Sequence, residues 1–172
     1  MLTHAPAPAL SRKLPLPMPQ AEGPLREIAL ESFSGFGGTD KEEVRKLLEL
    51  SFGKSLVPGY FELPAETVIQ KGSLGLAIVK SAFGENYLDK FAVHPDHRGN
   101  GIARELWKAL GERYDSLIWR SRTDNPINCW YKKNSNIEEP SGKWIIFAYG
   151  LSSERFRELV PLVSALPETF IK

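Results

Sequence analysis

Arg120 and Arg122 stand two residues apart, directly after the apolar run Leu117-Ile118-Trp119. Side chains on a strand alternate faces, so on a continuing strand both guanidiniums point to one side. Two like charges at the end of a buried strand repel each other and cost desolvation. Such a pair implies an anion. The planar guanidinium suits a carboxylate, which it can grip through two parallel charge-assisted hydrogen bonds. Lys90 raises the same question. It lies in Tyr87-Leu88-Asp89-Lys90-Phe91, which reads as a central strand buried on both faces, where a lysine is costly without an anionic partner. Asp89 is adjacent, but neighbours on a strand face opposite sides, so Asp89 is not expected to serve it.

A different anion signal sits in "FAVHPDHRGNGIARELWKAL", Phe91 to Leu110. Arg98, Gly99, Gly101 and Ala103 form an R-x-x-G-x-A pattern at the opening of a helix. The N–H groups of a first helical turn converge on one spot, which the helix dipole makes favourable for a pyrophosphate. Neither the dinucleotide fingerprint nor the P-loop spacing is matched. Glycine spacing alone also suits an ordinary turn before a helix and does not decide between the two. His94 and His97 share this turn, but a pair without further ligands is a weak metal signal, and no metal is expected. Cys129, the single cysteine, has no nearby histidine in sequence and reads as a small buried filler.

The elements that must position these residues alternate. Arg26 to Phe33 reads as a first strand. Thr39 and Glu42 match a capping box, and Val44, Leu47, Leu48 and Phe52 give a helical stripe. Three β-rich runs follow, broken at Lys71-Gly72-Ser73 and Phe83-Gly84-Glu85. A helix is predicted over about 101–113, with Ile102, Leu106 and Leu110 inward. The arginine strand comes next, then a helical turn near Pro126, the strand "GKWIIFAYG", and a last helix interrupted at Pro161. This order predicts an α/β fold with a mixed central sheet flanked by helices. Residues 1–24, with six prolines, read as a flexible extension, and 25–172 as one domain.

Composition narrows the classes. The 172 residues suit one core, and 42% hydrophobic with 25% charged residues is an ordinary globular balance. A net charge of +1 gives no basic field for nucleic acid, and no apolar run is long enough to span a bilayer. One cysteine excludes an intrachain disulfide, so a reducing cytoplasm is the expected location.

The pattern V-x-P-x-x-R-G-x-G-I-A, Val93 to Ala103, resembles the acetyl-CoA motif of the GCN5-related N-acetyltransferases (GNAT). "SFGK" (Ser51 to Lys54), "YLDKF" (Tyr87 to Phe91), "WRSR" (Trp119 to Arg122), "NPIN-x-WY" (Asn125 to Tyr131) and "KWIIFAYG" sharpen the match. In that order they resemble the acetyltransferase domain of N-acetylglutamate synthase, the type fused to an amino-acid kinase domain in vertebrates, fungi and some bacteria. The family enzyme carries that kinase domain upstream, where arginine binds as a regulator. The expectation is that this chain has no room for it and brings no arginine site.

The resemblance implies the GNAT fold and acetyl transfer from acetyl-CoA to the α-amine of L-glutamate, the first step of arginine biosynthesis. It implies that Phe52, Lys54, Lys90, Arg120, Arg122 and Asn125 bind glutamate. Phe91, Ala92, Val93, Arg98, Gly99, Asn100, Gly101, Ile102 and Ala103 would bind the coenzyme. Tyr131 and Asn125 would be catalytic, Tyr131 as the acid for the departing thiolate. A backbone N–H near Phe91 to Val93 could stabilise the anionic tetrahedral state. The base is left unassigned between Asp89, Tyr87 and a water chain. For the cations, the competing reading is an internal salt-bridge network with Asp89 and Asp124. For the whole chain, the competing readings are an acetyltransferase for another small amine or acidic amino acid, and a non-catalytic module that binds acetyl-CoA or glutamate and regulates a partner. The family implies a second copy in a homodimer as partner, and the regulatory reading implies an acetylglutamate kinase.

Overall fold

The computed structural model describes residues 28–171. The proline-rich extension expected over 1–24 lies outside the described residues. Strands are β1 (Glu31–Phe33), β2 (Ser55–Leu56), β3 (Thr67–Lys71), β4 (Gly75–Ala82), β5 (Glu85–Val93), β6 (Leu117–Arg122), β7 (Ile137–Ser141), β8 (Trp144–Tyr149) and β9 (Phe170–Ile171). Helices are α1 (Lys41–Phe52), α2 (Ile102–Arg113), α3 (Asn128–Asn134) and α4 (Ser153–Ser164). Seven strands form one sheet in the order β1-β3-β4-β5-β6-β8-β7, and β2 pairs with β9 apart from it. All neighbours in the large sheet are antiparallel except β5 and β6, joined by the crossover helix α2.

Alternation along β4 shows why a continuous apolar run is a central strand. Ala77 and Val79 join a core beneath α2 and α3 with Ile102, Leu106, Leu110 and Trp119. Leu76 and Ile78 point the other way, to a core with Val44, Leu47 and Leu48 of α1. A third core, under α4, gathers Ile118, Ile146, Phe156 and Leu159. The sheet thus has one continuous apolar face and one whose apolar surface is divided between α1 and α4. Gly75 lets α2 close on the sheet, since a Cβ there would lie 2.8 Å from Ile102 Cγ2.

Local chemistry differs from expectation at several points. The first strand covers only Glu31–Phe33. Asp40, not Thr39, caps α1: its carboxylate accepts from the N–H groups of Glu42 and Glu43, while Thr39 Oγ1 donates to the Phe36 carbonyl. Helix α4 runs through Pro161 to Ser164. The proline removes one donor, but it and Arg157, whose carbonyl loses that donor, are both exposed to water. Cys129 is exposed rather than buried, because α3 turns Tyr131 inward instead.

Candidate active site

Strands β5 and β6 touch in register at Tyr87 opposite Ile118. Beyond that point β5 follows β4 as far as Val93, and β6 follows β8 as far as Arg122. The two strands splay, and one edge of β5 faces the opening with its alternate N–H and C=O groups. A cavity fills the gap and is lined from both faces of the sheet. Phe52, Lys54, Lys90, Phe91, Arg120, Arg122, Asn125 and Tyr131 all line it, together with Tyr87, Asp89, Trp144, Glu168, Thr169 and Phe170. Residues spread over 80 positions of sequence therefore meet in one place, carried by α1, β5, β6 and α3.

Lys90 and Asp89 correct the reading of the strand. Ile78 pairs with Lys90 but Val79 pairs with Leu88, so Asp89 is an extra residue in β5, a β-bulge. The bulge breaks alternation and turns Asp89 and Lys90 to the same face. Lys90 Nζ lies 3.4 Å from Asp89 Oδ2 and donates to Thr169 Oγ1 at 2.6 Å. Asp89 also accepts from Tyr60 at 2.5 Å and faces Lys80 at 3.5 Å. Burial opposes ionisation of Asp89, yet Lys90, Lys80 and the Tyr60 hydroxyl outweigh it and hold the carboxyl below the usual range. Burial lowers the Lys90 pKa, with Lys80 and Arg120 adding to the effect and Asp89 opposing it. Part of the internal network weighed against the substrate reading is thus present.

The arginines share a face, both lying over the Trp144 ring at 4.1 and 5.5 Å. They are not equivalent. Arg120 Nη1 donates to the carbonyls of Val163, Ser164 and Leu166, and Nη2 to that of Pro167, closing the end of α4. Its fork is turned onto the backbone. Arg122 instead meets a carboxylate, Glu168 Oε1, at 3.4 Å. Asn125 is engaged at both ends of its amide: it donates to Ser121 Oγ and accepts from the Ile127 N–H, shaping the turn into α3. Tyr131 packs 5.5 Å from Trp119 and 5.6 Å from Phe147. Burial, with a smaller push from Tyr87, raises its pKa, so the phenol keeps its proton at neutral pH.

The glycine turn lies at the other end of the opening. Gly99 and Gly101 have φ of 87° and 83°, and Gly101 caps α2 without a side chain. A Cβ at either meets nothing within 4 Å, so the glycines serve the left-handed backbone rather than a tight contact within the protein. With no side-chain cap, the N–H groups of Ile102, Ala103 and Arg104 face outward for an anion. Ser51 Oγ donates to the Val93 carbonyl and Arg98 Nη2 to the Ser51 carbonyl, fixing α1 against this turn. Arg98 is therefore partly committed to the scaffold. His94 and His97 rings lie 5.2 Å apart, and among the described residues no group of three or more His, Cys, Asp or Glu could hold a metal ion. No helix of the described residues is long and apolar enough to cross a membrane.

The family described as NAT, N-acetyltransferase, of N-acetylglutamate synthase matches residues 26–166. The chain belongs to this acetyltransferase family. It is 36% identical over 141 residues to mitochondrial N-acetylglutamate synthase of Mus musculus, covering 77% of this chain and 27% of the mouse protein. It is 34% identical over 133 residues to a protein of Xanthomonas campestris named acetylglutamate kinase, covering 70% of this chain and 29% of that one. The chain thus spans under a third of the length of these relatives. Among solved structures, the ribosomal-protein-S18-alanine N-acetyltransferase of Escherichia coli shares the fold with a TM-score of 0.55 at 18% identity, over 73% of this chain and 97% of that one. The PaiA N-acetyltransferase of Thermoplasma acidophilum in complex with coenzyme A does so with a TM-score of 0.53 at 14% identity, over 70% and 98%. The expected GNAT fold is borne out.

Within this acetyltransferase domain, several site residues escaped the sequence. Tyr60 and Lys80 reach Asp89 of the cavity wall through a 3-10 turn and the β4 edge of the bulge, neither of which a period-two pattern reveals. Glu168, Thr169 and Phe170 come from the segment after α4, which carries no strand pattern and is placed by its pairing with β2 and by contacts from Val57 and Arg120.

Proposed function

We propose that this domain transfers the acetyl group of acetyl-CoA to the α-amine of L-glutamate. The observation that carries the reading is one cavity, opened by strand splay beside an anion-ready helix start, which Lys54, Lys90 and Arg122 line together with a protonated Tyr131. A substrate with two carboxylates and one amine matches a pocket with several cations and no excess of acids. The helix start fits the coenzyme: N–H groups of Ile102 to Arg104, reached past Gly99 and Gly101, would hold its pyrophosphate. When bound, acetyl-CoA supplies the acetyl thioester. The open edge of β5 between Phe91 and Val93 offers N–H groups to the carbonyl oxygen as it gains charge. Tyr131 holds a proton for the thiolate that leaves. Arg122, and Lys90 once its contacts rearrange, orient the carboxylates so that the amine faces the thioester.

The family match and the mouse relative support glutamate as acceptor, and with it the first step of arginine biosynthesis. The Xanthomonas relative supports an association with a kinase domain. A cytoplasmic location rests on the single cysteine and is part of the same proposal. The test is thiol release from acetyl-CoA with a panel of free amino acids. Glutamate should give the highest kcat/KM. Release that is equal for all amines, or absent with glutamate, would overturn the reading.

A further inference from the structure

The segment after α4, residues 167–171, forms a strap along the cavity wall through Glu168, Thr169 and Phe170, beyond residue 166 where the family match ends. Its backbone is fixed from three sides. Arg120 donates to the Pro167 carbonyl, the Val57 N–H donates to the Thr169 carbonyl at 2.9 Å, and Phe170 pairs with Leu56. Its one acid, Glu168, places a carboxylate between two cations: Arg122 Nη1 at 3.4 Å and Lys143 Nζ at 2.9 Å. Lys143 and Arg122 both lie 5.5 Å from the Trp144 ring centroid, and Trp144 lines the cavity. The Lys143 backbone is held beside Arg122, because its carbonyl accepts from the Thr123 N–H directly after Arg122. The molecule therefore records, in its own side chain, where a carboxylate sits in this pocket.

We propose that Lys143 completes a carboxylate clamp with Arg122, and that Glu168 holds this clamp as an internal stand-in which the substrate's carboxylate displaces. The Glu168 side chain is 39% exposed, so water screens its ion pairs and displacement is cheap. Its backbone stays tied by the contacts above, so only the side chain must swing out. The incoming carboxylate regains both cations, and an amide in its place does not. The inference rests on the glutamate reading for the identity of its substrate but not for the clamp itself.

The experiment is titration of the full chain with glutarate, the bare dicarboxylate, alongside glutamate kinetics. On the Glu168→Gln background, Lys143→Met should weaken glutarate about tenfold, the loss of one charge-assisted contact; with Glu168 present the loss is smaller, because the internal carboxylate gives up the same contact. Lys143→Arg should stay within about threefold of wild type. Glu168→Gln should tighten glutarate by roughly threefold or more, because the internal competitor is gone. In turnover, both effects should fall on the glutamate KM with kcat and the acetyl-CoA KM nearly unchanged. Opposite signs from Lys143→Met and Glu168→Gln are the signature, since damage to a merely structural strap moves both the same way. Unchanged affinity on adding Lys143→Met to Glu168→Gln, or weaker glutarate binding in Glu168→Gln, would overturn the clamp. The expected glutarate pattern in a protein that fails to acetylate glutamate upholds the clamp and refutes the substrate reading instead.

Discussion

At the scale of single residues, the site separates cations that bind from cations that build. Arg120 is the clearest builder, with four backbone carbonyls on its guanidinium. Arg120→Ala should therefore lower stability by roughly 2–4 kcal/mol, since hydrogen bonds to charged donors are worth more than neutral ones. Urea unfolding checks this; a variant as stable as wild type would mean that the carbonyls are equally well solvated by water. Tyr131 is the opposite case. It contributes to packing, yet its raised pKa keeps the proton in place for the leaving group. Tyr131→Phe should reduce kcat by about 10²-fold while the glutamate KM holds. Unchanged turnover would remove the phenol from the mechanism. Residue types and spacing in the sequence made both arginines legible as a pair on one face. They could not reveal that one turns onto α4, because that choice depends on a helix end more than 40 residues away.

At the scale of elements, the junctions of β5 do the positioning. Its splay from β6 creates the opening, its bulge turns Asp89 and Lys90 the same way, and its last residue leads into the glycine turn that starts α2. Gly101 is needed there for its φ of 83°. An alanine in that conformation costs about 1–2 kcal/mol, and relaxing the strain re-aims the first N–H groups of α2. Gly101→Ala should thus weaken acetyl-CoA by about tenfold with the glutamate KM unaffected; isothermal titration of both ligands separates this from general damage, which would weaken both. The long elements were readable because their patterns repeat: β3 to β5, α2 and β6 fall where periodicity puts them. Strands β2, β7 and β9 were not. β2 and β9 are two residues each, and β7 is Ile-Glu-Glu-Pro-Ser, a polar edge strand carrying a proline. The bulge was invisible for a related reason, since one extra residue leaves no mark in composition but reverses a face.

At the scale of the molecule, a continuous core beneath α2 and α3 supports a second face whose two apolar halves leave room for charge. Asp89 is the acid that balances this interior, joined to Tyr60, Lys80 and Lys90. Its folded pKa lies below the ordinary carboxylate value, so the unfolded chain binds the proton more readily. The stability it contributes is present above that ordinary value and is lost as pH falls through it toward the folded pKa. Asp89→Asn should cost about 3–5 kcal/mol at neutral pH by leaving buried lysines unbalanced. It should also flatten the loss of stability on acidification below about pH 4; thermal melts across pH report both. The α/β class and the identity of most cavity-lining residues could be read in advance because family motifs fall at fixed positions along the chain. The strap could not, because nothing in Pro167 to Ile171 resembles an element until it meets β2. The central claim is that a carboxylate held by Arg122 selects the acceptor. It is tested most directly by the ratio of kcat/KM for glutamate to that for glutamine, in wild type and in Arg122→Lys. A lysine keeps the charge and loses the planar fork, which should cost glutamate about 1.5–3 kcal/mol, or one to two powers of ten, and shrink the ratio with it. A ratio unchanged by the substitution, with folding intact by thermal melt, would contradict the account.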